Sequence, residues 1–126
     1  MLDLGIVQPS SSCWASPLHT APKKSPGDWR PCSDYRAPNQ RTVPNRYPVP
    51  HLQDFASFLD GTMNFSKIDH IRACHQIPVE PADVPKTAVT TPFGLFEYRP
   101  MPFGLRNTAQ TFQRFIDQVL RGLPWA

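Results

Sequence analysis

Asp69 closes the run NFSKID (64–69), whose spacing predicts a β-strand over 63–69 followed by an irregular or helical turn over 70–76. A carboxylate at the end of an apolar strand is a candidate metal ligand, although the residues alone favour the plainer reading of an acid that caps the next turn. One carboxylate seldom does metal chemistry alone, so the other acids matter. Beyond Asp69 come Glu80, Asp83, Glu97 and Asp117, and none is adjacent to another acid. Asp117 faces away from the apolar stripe of its helix and is expected to be solvated. A second chemical feature is charge. The net charge is +3, but residues 23–46 hold six basic side chains against Asp28 and Asp34, leaving +4 there and −1 elsewhere. Such a local surplus is a candidate phosphate contact. The pair Cys74-His75 has no second Cys or His at ligand spacing and is read as structural rather than as a metal site or a nucleophile.

The elements that must position these groups are short. Proline is abundant (16 of 126 residues) and is interleaved with Phe 8, Trp 3 and Tyr 3, a mixture suited to short elements joined by tight turns rather than to disorder. The pattern predicts a helix end over 1–8 and a turn over 10–17. Two strands over 18–24 and 29–36 then pair as a hairpin around SPGD, and 37–50 is an extended loop with four prolines. Leu52, Phe55, Phe58 and Leu59 make one face of a helix over 51–61, stopped by Gly61. Strands follow over 86–91 and 95–99, with a turn at PFG. A helix over 107–122 has Asn107 as N-cap, Gly122 and Pro124 at its end, and a stripe of Ala109, Phe112, Phe115, Ile116, Val119 and Leu120 read as core packing. The fold class is α+β, an antiparallel sheet backed by helices.

The cysteines, Cys13, Cys32 and Cys74, are odd in number and lack a CxxC spacing, which argues against a disulfide framework or a zinc site and for a reducing compartment. No signal-peptide pattern and no apolar run long enough for a membrane span is present, so the expected setting is intracellular and cytoplasmic. His19 and His51 read as surface or capping residues. Trp14 and Trp29 offer faces on which bases could stack, though Trp29 is better placed to anchor the hairpin. Trp125 marks the end of the core.

In order along the chain stand WRPCSDYRAPN (29–39), RYPVPHLQD (46–54), FSKIDHIRACHQI (65–77), KTAVTTPFGLFEY (86–98) and MPFGLRNTAQTFQRFID (101–117). Together they resemble the fingers and palm of a reverse transcriptase of gypsy-type LTR retrotransposons. The resemblance implies one reverse transcriptase domain over 1–126, a partial right-hand polymerase with fingers over roughly 1–50 and part of the palm over 51–126. It implies attack of a primer 3′-hydroxyl on the α-phosphate of a deoxynucleotide, on an RNA or DNA template, with two Mg²⁺ ions as cofactors. Asp69 stands where the family places its first metal-binding aspartate, and the carbonyl of His70 where it supplies a further oxygen. Lys24 and Arg30 stand at the triphosphate-gripping positions, Arg36 at a template contact, and Gly104 where the backbone comes close to nucleotide and template. If 29–36 is a strand, Asp34 and Arg36 share a face and pair.

Some positions depart from the family pattern. Cys74 replaces an aromatic that packs under the sugar, which implies weaker exclusion of ribonucleotides. His70 replaces an apolar residue, and Pro38 replaces the Leu before Asn39. The family's Tyr-x-Asp-Asp turn is absent from these 126 residues, so the expectation is a truncated, catalytically incomplete fragment. The alternatives are a nucleic-acid-binding remnant and a chain that associates with a longer polymerase.

Overall fold

Asp34 decides where the first hairpin stops. Its carboxylate accepts a hydrogen bond from the Arg36 backbone N–H (3.1 Å) and from Arg36 Nε (2.9 Å), which turns the chain out of the strand and into a helix. In a computed structural model that describes residues 1–123, strand β3 therefore covers Trp29–Ser33 and helix α1 covers Arg36–Arg41. This corrects two expectations, a strand reaching residue 36 and an extended loop starting at 37. Pro38 is accommodated because it sits in the first turn of α1, where a missing N–H breaks no helical bond.

The sheet has five strands in the order β1-β5-β4-β2-β3, with β1 at Val7–Pro9, β2 at Ser16–Pro22, β4 at Val89–Thr91 and β5 at Gly94–Tyr98. The expected hairpin is β2–β3, paired from Leu18↔Ser33 to Pro22↔Trp29. The expected 86–98 hairpin is β4–β5, preceded by a 3₁₀ turn at Val84–Thr87. The architecture is α+β as expected. The sheet is antiparallel except at its centre, where β2 runs parallel to β4 through Ser16↔Val89 and Pro17↔Thr90. Residues 1–8 form a turn and then β1, not a helix end, because Val7–Pro9 finds a ladder partner in Phe96–Tyr98. The turn expected over 10–17 is likewise shortened by the early start of β2.

A small core lies under this sheet. Ile6, Tyr35, Val89 and Tyr98 are buried together, with Val7, Phe96 and Leu105 packed against them. The Tyr35 hydroxyl donates to the Thr87 carbonyl (2.9 Å), and Thr87 Oγ1 accepts from the Tyr98 N–H (2.8 Å). These bonds pin α1 to the sheet through a polar group that burial would otherwise penalise.

Helix α2 covers Leu52–Phe58 and helix α3 covers Thr108–Val119. Both stripes exist, but neither makes a closed core. Leu52 and Phe58 are more than four-fifths exposed, and Val119 is more than half exposed. Within the α3 stripe, Phe112, Phe115 and Ile116 are half-buried and Ala109 is exposed. Residues 63–69 are not a strand. They run as exposed irregular chain into a 3₁₀ turn at Ala73–Gln76, since among the described residues no strand pairs with them and an unpaired strand has little to hold it. Pro124 and Trp125 lie outside the described residues.

Candidate nucleotide and template site

The β2–β3 hairpin carries the basic segment, and its charges are not equivalent. Lys23 Nζ donates to Asp28 Oδ2 (2.8 Å) across the turn, and Lys23 draws that carboxyl below its usual range. Lys24 and Arg30 are exposed, and among the described residues neither bonds a carboxylate. The two side chains singled out for a triphosphate are thus the two whose charge the hairpin does not neutralise internally.

Arg36 is held differently. Its guanidinium forks onto Asp34 through Nε and Nη2 and, by donating those bonds, holds the Asp34 carboxyl down to about 2. The pairing predicted for a strand face is present, but through a turn at the start of α1. Arg36 is largely exposed beyond this contact.

Gly104 abuts the same corner. Its φ is +93°, and a Cβ added there would lie 3.5 Å from the Ser33 carbonyl oxygen and 3.5 Å from Tyr35 Cδ2. Those are ordinary contacts, so the backbone angle and not crowding requires glycine. What fixes this loop is Asn39, a residue that sequence reasoning placed inside a motif but gave no role. Asn39 Nδ2 donates to the Gly104 carbonyl (2.8 Å), while its Oδ1 accepts from the Arg106 N–H (2.8 Å). Arg106 Nη1 returns a bond to the Asn39 carbonyl (3.2 Å). An amide side chain both donates and accepts, so one Asn can bind both groups of a passing loop. Asn107 acts in the same way one step on. It occupies the N-cap position of α3 but makes no capping bond. Its amide instead donates to the Val43 carbonyl (2.9 Å) and accepts from the Asn45 N–H (2.8 Å). The two asparagines thus tie residues 39–45 to residues 104–107. The only signal in the sequence was their side-chain chemistry, which names no partner.

Asp69 and His70 stand together on the exposed irregular segment, with the His70 ring edge-on to Phe112 at 6.0 Å. No hydrogen bond or ion pair among the described residues joins them to Lys24 or Arg30. As donors they offer one carboxylate and one main-chain carbonyl. Mg²⁺ takes about six oxygens in octahedral array, so this pair fits one edge of a single ion's shell and does not by itself fit two ions. Among the described residues no group of three or more His, Cys, Asp or Glu could hold a metal. Of the other acids, Glu97 accepts from Gln8 (2.7 Å) and Ser10 (2.6 Å), Asp83 pairs with Lys86, and Asp117 accepts from the Tyr47 hydroxyl (2.6 Å).

Cys74 lies buried in the 3₁₀ turn at 7% exposure, and burial pushes its thiol up, away from the reactive thiolate. His75 beside it is a packing residue. Its ring stacks on Tyr98 at 6.0 Å and meets Phe103 edge-on at 5.7 Å, and Nδ1 lies 3.2 Å from the Met101 carbonyl. Burial draws its pKa below the usual histidine value. Trp29 is largely exposed opposite Pro22 and anchors no core, Trp14 is half-buried, and His19 is exposed on β2. His51 occupies the N-cap position of α2 without a capping bond. No helix among the described residues is long and apolar enough to cross a membrane.

Known proteins resemble this chain over nearly its whole length. Residues 21–125 match the family model for reverse transcriptase (RNA-dependent DNA polymerase). The chain is 39% identical over 127 residues to the retrovirus-related Pol polyprotein from transposon 297 of Drosophila melanogaster, covering 98% of this chain and 12% of that protein. It is 35% identical over 126 residues to the Pol polyprotein from transposon gypsy of the same organism, covering 96% and 12%. The Tf2-3 transposon polyprotein of Schizosaccharomyces pombe is 36% identical over 119 residues, covering 94% and 9%. The chain therefore spans about an eighth of the length of the first two relatives and less of the third. Among solved structures, the foamy viral protease-reverse transcriptase in complex with RNA/DNA hybrid superposes with a TM-score of 0.80 at 22% identity, covering 98% of this chain and 16% of that one. The same viral protein in complex with dsDNA gives 0.81, also at 22%, covering 98% and 26%. With its sequence motifs, its sheet and nearly its whole length accounted for in this way, the chain belongs to the reverse transcriptase (RNA-dependent DNA polymerase) family.

Proposed function

We propose that this chain provides the phosphate-gripping side and the first metal-binding aspartate of a retroelement RNA-directed DNA polymerase, as half of a nucleotidyl-transfer site. In that reading Lys24 and Arg30 hold the triphosphate of an incoming deoxynucleotide, Arg36 meets the template, and Gly104 gives the backbone close approach. Asp69 and the His70 carbonyl would hold one edge of the Mg²⁺ site. When bound, the ions supply activation of the primer 3′-hydroxyl and charge neutralisation as pyrophosphate leaves. The fingers correspond to roughly 1–50 and the partial palm to 51–126, although the sheet draws strands from both. Cys74 is the position at which discrimination against ribonucleotides would be set. The three unpaired cysteines fit a reducing cytoplasm.

The observation that carries this reading is the uncompensated charge of Lys24 and Arg30 on an exposed hairpin. It also favours the second reading, nucleic-acid binding without catalysis. The exposed apolar residues of α2 and of 63–71 favour a third, docking against a longer polymerase chain.

A salt series tests the charge reading. Binding of a labelled deoxynucleoside triphosphate should weaken with added salt, and Lys24→Ala or Arg30→Ala should each weaken it severalfold at low salt. Binding that ignores both substitutions would remove the reading.

A further inference from the structure

One cavity among the described residues lies away from both the hairpin and Asp69. A cleft of about 650 Å³ opens between the α1 wall, the 77–87 segment and the loop leading into α3, and none of Lys24, Arg30 or Asp69 lines it. Its lining mixes an apolar patch with polar side chains, among them Thr42, Thr87, Asn107 and Thr108. Met101 is buried, and Ile77, Val79 and Leu105 are half-buried beside it. Trp14 adds an aromatic wall. The exposed rim is charged. Lys86 and Asp83 neutralise each other in an ion pair. That leaves Arg41 and Arg106 against Glu80, and among the described residues neither arginine makes an ion pair. Arg106 spends one N–H on the Asn39 carbonyl and keeps its other donors.

A pocket of this size that joins an apolar patch to convergent polar groups can seat a small molecule, and an unpaired arginine fork favours a planar carboxylate. We propose that this cleft is a binding site for a flat aromatic carboxylate, its ring between Trp14 and Met101 and its anion at Arg41 and Arg106. The walls come from α1 on one side and the start of α3 on the other, so an occupant ties together the two parts that Asn39 and Asn107 already join. The inference does not rest on the polymerase reading, since the cleft shares none of the three residues on which that reading turns.

The probe is 2-naphthoate, with neutral 2-naphthylmethanol as its control, followed by methyl NMR on the whole 126-residue chain. Saturable shifts are expected at the methyls of Ile77, Val79, Met101 and Leu105 and not at Leu52, Ile68 or Ile71. The alcohol should bind about three- to tenfold more weakly than the carboxylate, the range spanned by an exposed and a partly desolvated charge contact. Arg41→Ala with Arg106→Ala should remove that preference, and the lysine pair Arg41→Lys with Arg106→Lys should retain part of it. Because the naphthoate–naphthylmethanol comparison needs no variant, a double variant that failed to fold would still leave the proposal open to refutation. Equal binding of the two probes would overturn it. So would shifts spread equally over Leu52, Ile68 and Ile71, which would mark mere adhesion to exposed apolar surface.

Discussion

Gly104, Tyr35 and Cys74 each make a residue-scale claim that one substitution can check. Gly104→Ala should destabilise the fold by about 1–2 kcal/mol, because alanine must adopt the left-handed angle. Gly104→Asn should cost less, since asparagine tolerates positive φ better than alanine. Urea melts of the three proteins decide it, and equal stability would mean that the loop relaxes to a negative φ. Tyr35→Phe removes the bond to the Thr87 carbonyl at a position only 2% exposed, so it should cost about 1–2 kcal/mol. Maleimide labelling should be fast at Cys13 and Cys32, which are exposed, and slow at Cys74, which is buried with its thiol pushed up. Rapid labelling of all three would show that the 3₁₀ turn opens readily. At this scale the sequence was informative about charge and poor about amides. The pairing of Asp34 with Arg36 follows from proximity along the chain. The reach of Asn39 to Gly104 spans 65 residues and has no local signature.

Among the elements, α1 and the 3₁₀ turn at Ala73–Gln76 should make the fold sensitive to acid. Asp34, which starts α1, has a carboxyl held down to about 2 against its usual 3.8. Its contribution is present above 3.8 and is lost as pH falls through about 2. His75 has its pKa drawn below 6.5 by burial, so the unfolded chain takes up that proton first. Its contribution is full above 6.5 and lost as pH falls below it. Both groups act in one direction. The urea midpoint should drop in two steps between pH 7.5 and pH 2, and His75→Phe should remove the upper step while leaving the lower. A midpoint that rises on acidification would contradict both assignments. The hairpins and the helices α2 and α3 were legible because turn residues and apolar periodicity are local. Helix α1 was not, since a six-residue helix with proline inside has no period to read and depends on the Asp34 turn. The stretch 63–69 has strand-like composition, yet a strand exists only with a neighbour to complete its hydrogen bonds.

For the whole molecule, composition and motif order carried the α+β class and the family. They did not carry the strand order, in which β2 lies parallel to β4 across some 70 residues of sequence. Such a pairing is set by how the sheet closes over Ile6, Tyr35, Val89 and Tyr98, not by any local pattern. The same sheet leaves Leu52 (83%), Phe58 (82%) and Ile71 (83%) exposed. An apolar surface of that kind should drive self-association of the isolated chain. Sedimentation should show aggregates that Leu52→Ser with Phe58→Ser reduces, whereas a monodisperse wild-type chain with a sharp melt would count against this. The proposed function assigns to these 126 residues the triphosphate-holding side chains and one metal-binding aspartate of a nucleotidyl-transfer site. Primer extension with Mg²⁺ or Mn²⁺, run on the sample that binds the labelled triphosphate, tests it most directly. The predicted result is salt-dependent triphosphate binding with no nucleotide joined to the primer. Template-directed extension that Asp69→Asn abolishes would contradict it.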